Sequence, residues 1–428
     1  MNGKHARQKK TPNPLGLPIM PSPMLNPRPA LLLPLALSTV ALVLTCLGSS
    51  AVALPSAQPA GAAPSTPLQS GKPDTIYRRN ERTGRVIALS GIVLENSLTQ
   101  VKLDRNGKTA SYDAASIVRI DWGSVPPSYR DGMTYRRRSD WAQAVTSFRI
   151  AATDASTRNV LQADARLQAC EALLRYGASD PGQFAEAVKE ADRLTTDFAS
   201  SSLVPRARAI QARALRLTGD DAAAATAFES LYGEGASDPA TSGYDRQACL
   251  RAGLQAAWCH LEAGDSVRAR ELFGATKGAL EGLAAGLSGG DRQVLTRLVD
   301  LAGEAAMGEG FCLLAGGNAS SALAFFERTT ARSDAAPGAR YAALLGRGEA
   351  LLALEKLRDA QLCFAEVAAL EHTNPDRAAR AVLGLAQTTL ALGDGDAAGA
   401  ARRWLTVISD SYGDTPSARK ALDLQGNL

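Results

Sequence analysis

Five times along the chain an alanine stands four residues before a phenylalanine: Ala144 and Phe148, Ala224 and Phe228, Ala269 and Phe273, Ala322 and Phe326, Ala360 and Phe364. A spacing of four puts both side chains on one helical face. Five residues before each alanine comes a turn residue: Ser139, Gly219, Gly264, Gly317 and Glu355. Seven residues before each turn residue comes a small one: Gly132, Ala212, Ala257, Gly310 and Gly348. Two offsets kept in all five places predict a recurring pair of helices. The small residue lets the paired helices approach closely, and the phenyl ring fills the gap between neighbouring pairs. Two further stretches fit more loosely. Cys170 to Gly177 leads through an insertion to Ala187 and Ala191, without the aromatic, and Ala386 to Gly393 leads through a doubled Gly-Asp to Ala400 and Trp404. About seven pairs are therefore expected over 125–428.

This register resembles the tetratricopeptide repeat, in which a small residue of helix A, a Gly-Asp-like turn and the alanine and aromatic of helix B follow in that order. The resemblance implies a mainly α chain built as an α-solenoid, with repeat lengths around 40 residues rather than the family's 34. Helix starts agree with it, since Asp180-Pro181 and Asn374-Pro375 set a capping side chain before a proline suited to the first helical position. At Asp238-Pro239 the glycine at 243 follows too soon, and that segment reads as a loop.

The beginning of the chain is different. A basic stretch precedes the uncharged run from Ala30 to Gly48, and Ser-Ala-Val-Ala follows, ending at Ala53 in a pattern a signal peptidase could cut. Residues 1–53 therefore read as a signal peptide or membrane anchor, because the apolar run is also long enough to span a bilayer. Cys46 adds a lipoprotein reading, although Leu44 and Thr45 suit that site poorly. Residues 54–73 are mostly Pro, Ala, Ser and Gly and read as a disordered linker. Over 74–124 a small β module of about five short strands is expected. Its strands include Arg85–Asn96, Leu98–Asp104, Lys108–Tyr112 and Ser116–Trp122, with Asn106-Gly107 as a hairpin turn. Gly91 in mid-strand suggests the sharp bend of a small barrel. The pattern resembles SH3-like and Sm-like barrels, but an RNA role carried over from the latter conflicts with export.

Composition narrows the function. The chain has 47 basic and 43 acidic residues, but Lys4, Arg7, Lys9, Lys10 and Arg28 are the only charged residues before Lys72. Without those five the balance is 42 to 43, which leaves no global attraction for nucleic acid or anionic lipid. Membrane contact is expected only through the N-terminal segment, if it is uncleaved or lipidated. The five later cysteines, Cys170, Cys249, Cys259, Cys312 and Cys363, form no C-x-x-C or Cys/His cluster and read as buried free thiols. His260 and His372 share no ligand spacing, and no nucleophile–base, phosphate-loop or dinucleotide pattern occurs. No enzyme, metal or cofactor is expected.

Binding remains. In the tetratricopeptide family, groove residues lie beside the small position of helix A. Carried onto this register, they are Arg136, Arg206, Arg213, Arg216, Trp258, Met307 and Phe311. Such a groove would be basic in its first half and apolar in its second, suited to an extended or helical peptide with an acidic and a hydrophobic part. Arg136-Arg137-Arg138 does not make a lipid patch, since on a helix the three point in different directions. The resemblance thus implies an exported protein-interaction scaffold of the periplasm or cell envelope, similar to repeat-containing adaptors of bacterial envelope assembly. The alternative is a spacer that displays the β module for binding polysaccharide or another envelope component.

Overall fold

The computed structural model describes residues 72–80, 85–235, 239–287 and 292–428. The leader expected over 1–53, and all but the last two residues of the linker expected over 54–73, lie outside the described residues. What is described is mainly helical, with a small antiparallel sheet ahead of the helices.

The sheet comprises β1 (Asp74–Arg79), β2 (Val86–Asn96), β3 (Gln100–Arg105), β4 (Lys108–Asp113) and β5 (Ile117–Asp121), in the order β4-β3-β2-β1-β5. Asn106 and Gly107 both have positive φ, as a tight hairpin turn between β3 and β4 requires. β2 pairs with β1 up to Gly91 and with β3 from Ile92 onward. The bend sits where the strand changes partner, and a Cβ at Gly91 would lie 2.3 Å from the Asp104 carbonyl oxygen. Ile76, Val93, Val101 and Leu103 form the module's core.

Four apolar residues make a thin core for a free-standing module, and this one is fastened to the helices. Fully buried Asp74 takes a bidentate pair from Arg158 at 2.8 and 2.9 Å, and also accepts from the backbone N–H groups of Val93 and Gly123. Every lone-pair direction of that carboxylate is used, which offsets the cost of burying its charge. A second tie joins Asn96 and Leu98 to Ser200 and Ser202 through backbone bonds of 2.8 and 3.1 Å.

Helices follow in sequence: α1 (Pro127–Arg137), α2 (Trp141–Thr153), α3 (Asn159–Tyr176), α4 (Gly182–Asp197), α5 (Val204–Thr218), α6 (Asp221–Glu234), α7 (Pro239–Ser242), α8 (Arg246–Glu262), α9 (Ser266–Gly286), α10 (Arg292–Ala315), α11 (Ala319–Thr330), α12 (Pro337–Ala353), α13 (Leu357–Leu370), α14 (Pro375–Leu392), α15 (Ala397–Tyr412) and α16 (Pro416–Gly426). The segment read as a loop at 238–243 contains one helical turn, α7, started by Pro239 and stopped by Gly243. Apart from this turn, each helix packs on its neighbours in sequence. The first helices of successive pairs also touch, α3 with α5, α8 with α10, α10 with α12, and α12 with α14.

The turn register holds to the residue. Ser139, Gly219, Gly264, Gly317 and Glu355 all adopt the left-handed conformation, with φ between 58° and 93°. That geometry ends one helix so that the next can start almost at once. Asp140, Asp220 and Asp265, one residue later, each accept a hydrogen bond from the backbone N–H three positions on, which caps the second helix.

Four of the five phenyl rings lie against glycine. Phe326 meets Gly310 of α10, its own first helix, and Gly346 of α12, the next one; a Cβ there would come to 2.5 and 2.2 Å from the ring. Phe364 is placed the same way between Gly348 of α12 and Gly384 of α14, and Phe273 rests on Gly308. All five recurrent alanines are fully buried, and the five phenylalanines are at most 6% exposed. The last pair departs from the expected register. Ala401, Leu405 and Ile408 are buried, whereas Trp404 is 38% exposed. The inward face of α15 is therefore one residue further on than the Ala400 and Trp404 pair predicted, with leucine rather than the larger indole taking the slot.

Glu355 holds a left-handed φ of 59° without glycine's freedom from Cβ strain. Glu355→Gly is expected to raise stability by about 0.5 kcal/mol, the sign opposite to that of an ordinary glycine substitution, as read by urea denaturation.

Candidate functional site

The residues carried over from the repeat register divide between two cavities on the first helices. Arg136 of α1 and Arg206 and Arg213 of α5 come together around one of about 380 Å³, joined by Arg175 of α3, Glu171 and Asp414. Arg136 donates to Gln168 and lies 3.6 Å from Glu171, and Arg206 pairs with the same glutamate at 2.5 Å. Arg213 reaches the Asp414 carboxylate at 3.2 Å, and Arg175 reaches it at 2.9 Å.

Arg216, Trp258 and Phe311 line the second cavity, of about 220 Å³, with residues of α12, α14 and α16. Its walls are not the apolar surface expected of the second half. Arg216 is buried, donating to Gln255 at 2.7 Å, to Glu262 at 3.1 Å and to Asp376 at 3.4 Å. Burial works against its charge, but Glu262 and Asp376 outweigh it and hold the guanidinium protonated. Burial likewise disfavours the Glu262 carboxylate, yet Arg216 brings its pKa below the ordinary value. Trp258 donates to Glu304 at 3.3 Å, and its ring meets Phe273 and Phe311 edge-on at 5.3 and 4.9 Å. Arg380 stacks over both Trp258 and Phe311 at 5.1 and 5.2 Å while its fork holds Glu349. Met307 is buried in the core and lines neither cavity.

Beside this cavity lies a buried triad that the sequence reading did not contain. Arg377 of α14 donates to Glu304 of α10 at 2.6 Å and to Glu371, and all three residues are at most 7% exposed. Glu371 also accepts from Thr373 and from the backbone of Asn374. Burial opposes its ionisation, but these donors and Arg377 overcome it and leave the pKa lowered. Glu304 and Arg377 are 73 positions apart, so no local spacing signals them. Arg175 carried a weak signal: it occupies the last turn of α3 much as Arg136 and Arg216 occupy the last turns of α1 and α5.

A third cavity of about 560 Å³ separates β5 from α3 and α5. Close to it, Tyr129 donates to Asp164 at 2.5 Å. Burial, followed by the charge of Asp164, pushes the phenol well above its usual range, and burial raises Asp164 as well. His260 faces Glu229 at 2.5 Å, with Arg268 on the same carboxylate. Among the described residues no group of three or more His, Cys, Asp or Glu could hold a metal ion, and no helix is long and apolar enough to cross a membrane. No protein-family model matches the chain, and no curated protein is significantly similar to it.

Two expectations follow from burial. Arg377→Met leaves Glu304 and Glu371 together without their shared cation, and should lower unfolding stability by about 3–5 kcal/mol in urea titrations, more than loss of a surface pair would. The five cysteines among the described residues are free and buried. Burial pushes the Cys249 and Cys312 thiols up to about 11 and Cys259 to about 12, and raises Cys170 and Cys363 as well. These five thiols should be silent to Ellman's reagent at pH 8 in the folded protein and should all react in guanidinium chloride.

Proposed function

We propose that this chain is an exported, non-enzymatic scaffold of the cell envelope. In this reading its helices form a tetratricopeptide-like solenoid of seven pairs that binds a protein partner along the face of the first helices. The observation that carries the reading is the meeting of Arg136, Arg206 and Arg213 around a single cavity. These side chains come from two first helices separated by another pair, and what brings them together is the stacking of successive pairs. Support for the repeat itself comes from the five left-handed turns at constant offset and the glycine-slotted phenyl rings. A surface of this kind offers directed donors over a length of chain and suits a peptide better than a small reactant. Export rests on the basic-then-apolar leader and the small residues before Leu54.

The test is capture from envelope extract by the processed protein, comparing wild type with an Arg136→Glu/Arg206→Glu variant and with Arg358→Glu as an exposed control. Recovery of a defined partner should drop at least about tenfold for the double variant, the loss that about 1.4 kcal/mol produces, and should stay unchanged for the control. An identical set of captured proteins from all three would remove the groove from consideration.

A further inference from the structure

The segment after α15 meets the second and third helical pairs. Gly413 lies against Ala178, the Asp414 carboxylate accepts from Arg175 at 2.9 Å and from Arg213 at 3.2 Å, and Arg213 also reaches the Asp414 carbonyl at 3.1 Å. Arg419 of α16 pairs with Asp221 of α6 at 3.4 Å and passes over Gly219, where a Cβ would lie 2.0 Å from its guanidinium. Asp376 of α14 reaches Arg216 of α5. The segment from Gly413 onward thus lies between the two cavities already described. Asp414 lines the basic one, and Pro416, Ser417 and Lys420 line the other.

The two sides of α16 are held differently. On one side Ala418 and Ala421 are buried with Val382, Leu383, Leu405 and Ile408 of α14 and α15. No residue of α3, α5 or α6 belongs to that apolar cluster. Of the contacts to the N-terminal side, the one made by Asp376 meets an Arg216 side chain only 8% exposed, whereas those of Asp414 are exposed pairs, with Arg175 and Arg213 61% and 44% exposed. Ion pairs of such exposure are weak and screened by salt. The Asp414 contacts can therefore part while α16 stays packed on α14 and α15 and the buried Arg216 keeps Asp376.

Charge says what belongs in the parted seam. Four arginines, Arg136, Arg175, Arg206 and Arg213, line the basic cavity against two carboxylates, Glu171 and Asp414. One of those two is supplied by the C-terminal segment itself. We propose that Gly413–Leu428 is a built-in occupant of the groove, and that the partner is an acidic peptide which displaces Asp414 from Arg175 and Arg213. The inference rests on the groove reading above and gives that groove a regulated, closed state.

The test uses the full processed chain and a fluorescein-labelled octaglutamate peptide at low ionic strength. Asp414→Asn should bind the peptide about fivefold more tightly than wild type, as expected when one exposed competing pair is removed. Asp414→Glu should behave as wild type, and adding Arg213→Gln to Asp414→Asn should cancel the gain. In the wild-type chain, saturating peptide should speed hydrogen exchange at the Thr415 amide beside Asp414, which donates to Tyr412, while the Ala418 amide of packed α16 keeps its protection. This measurement needs no variant to fold. Equal binding by wild type and Asp414→Asn, with unchanged exchange, overturns the latch while leaving an open groove for acidic peptides. Absence of binding to every chain overturns the acidic-peptide partner, whatever the capture experiment shows.

Discussion

A phenyl ring packed against the small residues of neighbouring first helices is the contact on which the helical part of this protein depends, and two of the five rings are held between two glycines. Phe326 fills the space above Gly310 and below Gly346, and Phe364 repeats the arrangement with Gly348 and Gly384. Any side chain at these glycines would overlap the ring, so the first helices of neighbouring pairs approach only as closely as a phenyl thickness allows. The same ring that seals one pair sets the position of the next. Its effect therefore accumulates along the chain rather than remaining local.

That accumulation determines the electrostatics of the face the rings leave uncovered. Aligned first helices bring Arg216 to Glu262 and Asp376, Arg377 to Glu304 and Glu371, and Arg380 to Glu349. Some of these groups are buried, and each buried charge has a partner. Removing one member of such a set is therefore costly, although the set as a whole adds little net stability. Toward the first helices the pattern loosens. Arg136, Arg175, Arg206 and Arg213 share two carboxylates around an open cavity, so positive charge there is in excess. The contrast between a fully paired region and an under-paired one is what favours the latter for the acidic peptide proposed above.

The sheet is bound to the helices by the same logic on a smaller scale. Its four-residue core is thin, and the buried Asp74–Arg158 pair ties its first strand to the start of α3. Removing the whole module would leave Arg158 without that partner and Val160 without the apolar residues it packs on. Its influence is separated from that of the helices only by side-chain changes on its surface.

Helix pairing, turn positions, the Asn374 cap and the bend at Gly91 were all legible in the sequence, because each depends on residues fewer than about 20 positions apart whose geometry is local, whereas at Asp180-Pro181 the proline itself takes the cap position of α4. The last pair also escaped: Ala400 and Trp404 fit the spacing, yet α15 buries Ala401 and Leu405, since the slot's width is a property of the neighbouring helices. Arg136, Arg206 and Arg213, placed together by the repeat register, do meet around one cavity. Their partners were not legible. Asp414 meets Arg175 across 239 positions and Arg213 across 201, and the triad of Glu304, Glu371 and Arg377 spans up to 73. The sequence by itself determined which of the longer elements form and, for the five regular pairs, which side faces inward. Only the tertiary structure decided which charges meet and that Asp414 lies beside Arg175 and Arg213, because those meetings depend on how successive pairs stack over about 200 intervening positions.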